Sequence, residues 1–337
     1  MDQITSNDEC HKKRNRRMKK VFVTGITGLL GNNTVIKLVE NGYFVIALVR
    51  KKGVCFFKEN ESLTLVEGDL FSDLSKHLKD VDYVIHIAAE TRQNLLLYRD
   101  YQRINCEATI HLFCESVKAN VQKFLFISSA NTLGFGSFEE LGNEKNDQKY
   151  PFTHSFYAKS KSEAENFLLH QKKNTKVIIL NPAFMIGNHD YKPSSGKIIF
   201  WVWKKNMVFY PKGGKNFVNV EDVATGIVCA LKKGKKGEKY LLANENLTYR
   251  DFFTKVNTVT DQQPIMIPIP DFILQFLGFL GDFLRFCRIK TNLSSVNMKA
   301  LLINNYYSNQ KSIDELGIQY QPIEKAIEDA VNFFKNR

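Results

Sequence analysis

At 337 residues the chain can bury a sizeable core and suits one large domain or two modest ones. Hydrophobic residues at 44% and charged residues at 24% are those of a soluble globular protein. The net charge of +12 is spread along the chain, denser at Lys12 to Lys20 and Lys232 to Lys239; with no nucleic-acid module beside it, it reads as a solvated basic face, which excludes nucleic acid as a partner.

Cys10, Cys55, Cys106, Cys114, Cys229 and Cys287 form no Cys-x-x-Cys pair and have no histidine at metal-ligand spacing. They predict reduced thiols in a cytoplasmic protein and no metal site. Residues 1–17 are polar and lack the apolar run of a signal peptide. Met18 stands directly before Lys19-Lys20 and the first apolar run, so 1–17 is expected to be a disordered basic extension or an over-extended start.

Val21-Phe22-Val23 reads as a buried strand, followed by the turn Thr24-Gly25-Ile26-Thr27-Gly28-Leu29-Leu30-Gly31. A helical pattern runs from Asn32 to Glu40, Asn41-Gly42 closes it, and Tyr43 to Val49 makes a second strand ending on Arg50. A strand, a glycine-rich turn, a helix and a second strand form the unit that holds a dinucleotide pyrophosphate. Gly25 permits the tight turn, Gly28 lets backbone approach phosphate oxygens, and Gly31 lets the helix pack on the strand. The helix N-terminus offers unpaired N–H groups and partial positive charge to the anion.

Further strands are expected at Leu63 to Glu67, closed by Gly68-Asp69-Leu70, at Tyr83 to Ala89, at Lys123 to Ile127 ending on Ser128-Ser129, and at Val177 to Leu180 ending on Asn181-Pro182. Helices are expected at Asp73 to Leu78, Tyr101 to Asn120 and Ser155 to Gln171. This alternation predicts an α/β fold with a Rossmann-type doubly wound parallel sheet.

Beyond Pro182 the rhythm breaks. Helices are expected at Lys197 to Lys204, at Asp222 to Lys232, after Thr248 and at Ile323 to Phe334, with short strands at Phe217 to Val220 and Tyr240 to Leu242. The predicted organisation is a dinucleotide-binding domain over 18–182 and a smaller mixed substrate-binding region over 183–337, with 217–243 returning to the first. The Ile-, Leu- and Phe-rich stretch from Ile265 to Phe286 is too short and too interrupted by Pro268, Pro270, Gly278 and Gly281 to span a membrane. It is expected as a buried or lid helix over an apolar pocket, with peripheral membrane contact as the alternative.

Two clusters carry chemistry at strand ends, where open α/β sheets bind their ligands. One is Ser128-Ser129; the other is Tyr157-Ala158-Lys159-Ser160-Lys161 at a helix start. Tyr157 and Lys161, four apart, share a helix face. A lysine ammonium and an oxidised nicotinamide would both lower a tyrosine pKa from its usual value of about 10. The expected roles are Tyr157 moving the proton, Ser129 orienting the carbonyl, and Lys161 tuning Tyr157 while holding the cofactor ribose.

These marks resemble the extended short-chain dehydrogenase/reductases over nearly all of residues 18–335. They are Thr24-Gly25-x-x-Gly28-x-x-Gly31, Gly68-Asp69-Leu70, His86-x-Ala88-Ala89, Asn105 in Ile-Asn-Cys-Glu-Ala-Thr, Ser128-Ser129, Tyr157-x-x-x-Lys161, Asn181-Pro182 and Val220-Glu221-Asp222-Val223-Ala224. The resemblance implies that Gly25, Thr27, Gly28, Leu29, Leu30, Gly31, Asp69, Leu70, Ala88, Ala89 and Pro182 line the cofactor. In it Asp69 meets the adenine amino group, Asn105 supports a water relay, and His86 is structural. Ala108 stands where the family has glycine and Asn131 where it has a small residue, departures that remove no catalytic group.

The second strand ends without a carboxylate to bind both ribose hydroxyls, and Arg50-Lys51-Lys52 follows. A guanidinium pairs bidentately with phosphate, which predicts NADP over NAD. Arg50 and the Pro-, Phe- and Leu-rich C-terminal half look like the dihydroflavonol reductase and 3-beta-hydroxysteroid dehydrogenase branch. The function expected is an NADP-dependent oxidoreductase interconverting a ketone or aldehyde and its alcohol on a small, fairly apolar substrate. A nucleotide-sugar epimerase or dehydratase and a non-catalytic dinucleotide-binding sensor are the alternatives, and homodimerisation stays open.

Overall fold

A computed structural model describes residues 17–336. The expectation for 1–17 therefore lies outside the described residues except at Arg17, whose guanidinium donates to the Asp80 carbonyl at 2.9 Å.

The chain opens with β1 (Lys20–Thr24), α1 (Leu29–Glu40), β2 (Phe44–Val49), β3 (Leu63–Glu67), the one-turn α2 (Ser75–Leu78) and β4 (Tyr83–His86). A long helix follows in three parts: α3 (Tyr98–Gln102), a π-helical turn (Arg103–Glu107) and α4 (Ala108–Lys118). Then come β5 (Lys123–Ile127), α5 (Phe156–Leu169), β6 (Lys176–Pro182) and β7 (Phe184–Ile186). The remainder is β8 (Met207–Tyr210), β9 (Gly214–Asn219), α6 (Val220–Lys233), β10 (Lys239–Leu242), β11 (Glu245–Thr248), α7 (Tyr249–Val259), β12 (Ile265–Pro268), α8 (Asp271–Phe286), α9 (Ser295–Leu302), β13 (Asn304–Asn305) and α10 (Ile323–Lys335).

Seven parallel strands form one sheet in the order β10-β6-β5-β4-β1-β2-β3. The order reverses between β1 and β4, which opens the crevice where such sheets bind ligands. The strands are apolar on both faces because helices cover both sides. Val21 and Val23 pack with Leu30, Val35, Val223 and Ile227 of α1 and α6. Phe22, between them, points the other way, toward Leu112, Phe113 and Leu168 of α4 and α5.

The C-terminal half folds around a second core that includes Phe217, Phe252, Phe253, Ile323 and Ile327. There β9 pairs with β11, β13 and β7. The stretch expected to return to the large sheet is split. Phe217 to Asn219 stay in the second sheet, while α6 packs on the first domain and β10 becomes its edge strand beside β6.

Two expectations fail in detail. Lys197 to Lys204 does not make an α-helix; a 3₁₀ helix covers Ser195–Trp201 instead. The segment around Ile265 to Phe286 is not buried: only Leu274, Gly278 and Gly281 of α8 are, while Phe272, Phe276, Phe279, Phe283 and Phe286 face solvent. The inward edge of α8 is small because it lies against the chain entering α9. A Cβ on Gly281 would stand 2.4 Å from the Leu293 carbonyl carbon.

Candidate active site

The glycine turn is held by geometry at two of its three glycines. Gly25 has φ +79°, and a Cβ there would meet the Ala88 nitrogen at 2.5 Å. A Cβ on Gly31 would meet the Gly25 carbonyl oxygen at 2.1 Å. Gly28 is different: its φ is −92°, it is exposed, and a Cβ would find nothing of the protein closer than 3.6 Å. The space above it is the one a close-approaching phosphate would fill. Gly28 also caps α1 without a side-chain hydrogen bond, and no acidic residue stands in the first turn. The first N–H groups of α1 thus remain available to an anion, so the residues present fit a dinucleotide pyrophosphate. Leu29 and Leu30 turn their side chains into the core and contribute backbone, while Thr27 is half-buried at the turn.

His86 fixes the far side of this turn. The Thr109 hydroxyl donates to the Asn105 carbonyl at 2.8 Å, so it accepts from His86 Nε2–H at 3.0 Å. His86 Nδ1 then accepts from the Thr24 hydroxyl at 2.7 Å, and Thr24 Oγ1 accepts from the Ala88 N–H at 3.2 Å. Burial, with the Lys161 ammonium nearby, holds the imidazole neutral with a pKa of about 3. The chain of bonds ties β1, β4 and α4 together and sets Ala88 against Gly25.

The other end of the site is built by α5. Ser155 caps it, its hydroxyl accepting the Ala158 N–H at 3.3 Å, so the first turn presents Tyr157 and the second presents Lys161 on one face. The Ser129 hydroxyl lies near enough to the Tyr157 hydroxyl to pull its pKa down. Lys161 is buried; its ammonium donates to the Ile127 carbonyl at 2.6 Å and lies 4.0 Å from the centre of the Phe126 ring. Ser128, next to Ser129, has a buried hydroxyl without a hydrogen-bond partner among the described residues.

The expected electrostatics are reversed in the protein alone. Desolvation pushes the Tyr157 hydroxyl up to about 12, outweighing the opposing effect of the Ser129 hydroxyl, and the Glu165 charge adds to the rise. Desolvation likewise brings Lys161 down to about 7, against the pull of Glu165. Tyr157 as a whole is part-exposed. Lys161 is committed to β5 and does not depress Tyr157.

Glu165 was invisible to motif reading, although its spacing to Tyr157 and Lys161, eight and four residues on, was there to be read. Its fully buried carboxylate accepts from Thr132 Oγ1 at 2.7 Å, Asn181 Nδ2 at 2.8 Å and Lys239 Nζ at 2.5 Å. It thereby joins α5, the turn after β5, the end of β6 and the start of β10.

Asn105 sits in the π-helical turn, a local widening common at functional sites. Its side-chain carbonyl accepts the Glu90 N–H at 2.7 Å, and its amide donates to the Glu90 carbonyl and to Ser160 Oγ, both at 3.0 Å. It therefore splices the loop after β4 to α5, one residue from Lys161.

Arg50 is exposed at the end of β2, with no hydrogen-bond or ion-pair partner among the described residues. Nearby Glu67, at the end of β3, accepts the Lys52 N–H at 3.2 Å, a carboxylate that reading β2 alone does not reveal. Asp69 is exposed; its Oδ1 accepts from the Phe71 N–H at 2.7 Å and from Ser72 Oγ at 3.3 Å. The Leu70 carbonyl accepts from His111 at 3.0 Å. Pro182 is buried at the end of β6, opposite Leu242.

Asp69, Arg50, Gly25, Ala88-Ala89, Ser129 and Pro182 thus lie at or just past the carboxyl ends of β3, β2, β1, β4, β5 and β6, strands that are neighbours in that order. The row runs from an exposed, charged end through a glycine cradle to a hydroxyl pair beside a lysine. Such a fold and row define an enzyme that binds a nicotinamide dinucleotide.

A family model described as the NAD dependent epimerase/dehydratase family matches residues 21–243, and the chain belongs to that family. It is 28% identical to a putative dihydroflavonol 4-reductase of a Synechocystis species, over 94% of each chain. It is 30% identical to the decarboxylating sterol-4-alpha-carboxylate 3-dehydrogenase of Dictyostelium discoideum, over 75% of this chain and 81% of that one. Among solved structures, that of gox2253 superposes with a TM-score of 0.81 at 29% identity, covering 94% of this chain and 98% of the other. The chain is an NAD(P)-dependent enzyme of the extended short-chain dehydrogenase/reductase type.

Proposed function

We propose that the protein is an NADP(H)-dependent oxidoreductase that interconverts a ketone or aldehyde and the corresponding alcohol on a small, fairly apolar substrate in the cytoplasm. The observation that carries this reading is the Ser129–Tyr157 hydroxyl pair backed by the buried Lys161, at the Pro182 end of the row.

When bound, the nicotinamide supplies or accepts the hydride. The chain's own groups handle the oxygen and its proton. Ser129 holds the carbonyl oxygen through its hydroxyl, and Tyr157, protonated at neutral pH, donates its proton to that oxygen as the alcohol forms. In the reverse direction the tyrosinate removes the alcohol proton. Lys161 supports the ribose side, anchored through Ile127 to the strand that carries Ser129. Part-buried Phe184 and Met185, just beyond Pro182, favour an apolar substrate. So do the names of relatives that act on a dihydroflavonol and on a sterol carboxylate.

The phosphate preference rests on Arg50, whose unpaired guanidinium ends β2 where an NAD-specific site would place an acid. Asp69, Leu70, Ala88 and Ala89 would line the adenine and phosphate path, and Gly25 to Gly31 the pyrophosphate. Asn105 acts by position, fixing the Glu90 loop against α5.

Turnover of carbonyl substrates, followed through NADPH absorbance, tests the reading. Tyr157→Phe should lose at least about 100-fold in kcat while binding NADPH as the native enzyme does. Full activity in that variant would refute the proton-transfer role. A second reading is favoured by relatives named dTDP-D-glucose 4,6-dehydratase and UDP-glucose 4-epimerase, each at least 24% identical over 66% or more of this chain. Turnover of a nucleotide sugar with no net change in nicotinamide absorbance would establish it instead.

A further inference from the structure

We propose that α8 docks the protein onto an anionic lipid surface, with its phenylalanine face in the bilayer interface and the cations at its C-terminal end on the headgroups. Phe272, Phe276, Phe279, Phe283 and Phe286 recur at alternating spacings of four and three, which aligns them in one stripe along a helix. All five are exposed, by 57% to 86%, and Ile273 and Leu280 widen the stripe. At roughly 200 Å² per ring, the five leave on the order of 700 Å² of aromatic surface in water. The largest apolar patch on an ordinary monomer is about 300–600 Å².

The helix is not loose. Gly278 and Gly281 press against the chain entering α9, and Arg285 donates to the carbonyls of Gln93 at 3.2 Å and Leu95 at 2.8 Å. The rings are therefore held outward by a rigid backing. That is unlike a lid, which would turn them toward its own cleft.

Charge selects the occupant. The two acids of α8 are engaged: Asp271 pairs with Lys212 at 3.2 Å, and Asp282 accepts the Ser295 N–H at 3.1 Å. Arg288 and Lys290 follow the stripe directly and flank the exposed Ile289, and their side chains have no hydrogen-bond or ion-pair partner among the described residues. A second copy packed on this face would bring together two chains that each carry a net charge of +12. An anionic bilayer complements both the stripe and the charge. No helix among the described residues is long and apolar enough to cross a membrane, so the contact is interfacial. Arg285 links this face to the 93–95 loop just before α3, which packs on α5, the helix that carries Tyr157; a lipophilic substrate would thus meet the protein close to the site.

Flotation of the full-length protein with vesicles of phosphatidylcholine plus phosphatidylglycerol, and with phosphatidylcholine alone, tests the proposal. The native protein should float with the anionic vesicles. Arg288→Gln with Lys290→Gln should bind them about thirty-fold more weakly, the effect of two cations at about 1 kcal/mol each. Phe276→Ser with Phe279→Ser should abolish flotation while keeping the native thermal transition, since both side chains are exposed. No flotation of the native protein, or flotation undiminished by both pairs of substitutions, would overturn the proposal. So would a dimer in light scattering that the phenylalanine substitutions dissociate while vesicles fail to bind, which would assign the face to a second copy.

Discussion

Gly25 and Gly28 look equivalent in the turn, yet they answer to different masters. Alanine at Gly25 would force a side chain into a φ of +79° and onto the Ala88 nitrogen, so Gly25→Ala should cost upwards of about 2 kcal/mol in chemical denaturation. Gly28→Ala meets no such barrier and should change stability by less than about 1 kcal/mol while weakening cofactor affinity in titration calorimetry. Equal destabilisation by both would remove the case for a phosphate above Gly28. Lys215 offers a pH test. Its ammonium lies over the Phe184 ring at 4.5 Å without an anionic partner among the described residues, and desolvation lowers it to about 8. A folded pKa below the unfolded one means the charged form penalises folding fully at neutral pH. The penalty is relieved between about pH 8 and 10.5, where only the unfolded chain keeps the proton. Lys215→Met should thus raise the melting temperature at pH 7, and the gain should shrink by pH 10.

At the scale of elements, α5 is the part on which the site turns. It carries Tyr157, Lys161 and Glu165 on successive turns of one face, and it is tied to β10 through the Glu165–Lys239 pair at 2.5 Å. Glu165→Gln leaves the Lys239 ammonium without its charge partner and should cost about 3–5 kcal/mol in denaturant unfolding, a magnitude typical of a broken buried pair. The same change removes the charge that raises both Tyr157 and Lys161. In the variant that still folds, the rise of alcohol oxidation with pH should therefore begin at lower pH. An unmoved profile would mean that Glu165 acts on stability alone.

At the scale of the molecule, two halves share the work. The seven-stranded sheet sets the cofactor row, and the second core brings β7 and β9 beyond Pro182. A ligand at 100 times its Kd adds about 2.7 kcal/mol of stability. NADPH should therefore raise the melting temperature more than NADH at equal concentration, and Arg50→Ala should erase the difference. A larger shift with NADH that survives the substitution would reverse the cofactor assignment.

The row of strand-end motifs was legible because each lies within a few residues of its strand: periodicity places the strand, and local spacing places Gly25, Ser129 and Tyr157 relative to it. The parallel sheet follows from the same alternation. Contacts between distant segments were not legible. Glu165 reaching Lys239, the splice of Asn105 to Glu90 and Ser160, and Glu67 beside the Arg50 loop depend on how separate elements meet. Burial was misjudged for the same reason. An apolar stretch such as α8 shows its composition in sequence, but only its docking through Gly278 and Gly281 decides that the phenylalanines point to solvent. The sign of the Tyr157 shift is likewise a tertiary matter, because desolvation in the folded protein outweighs the opposing effect of Ser129.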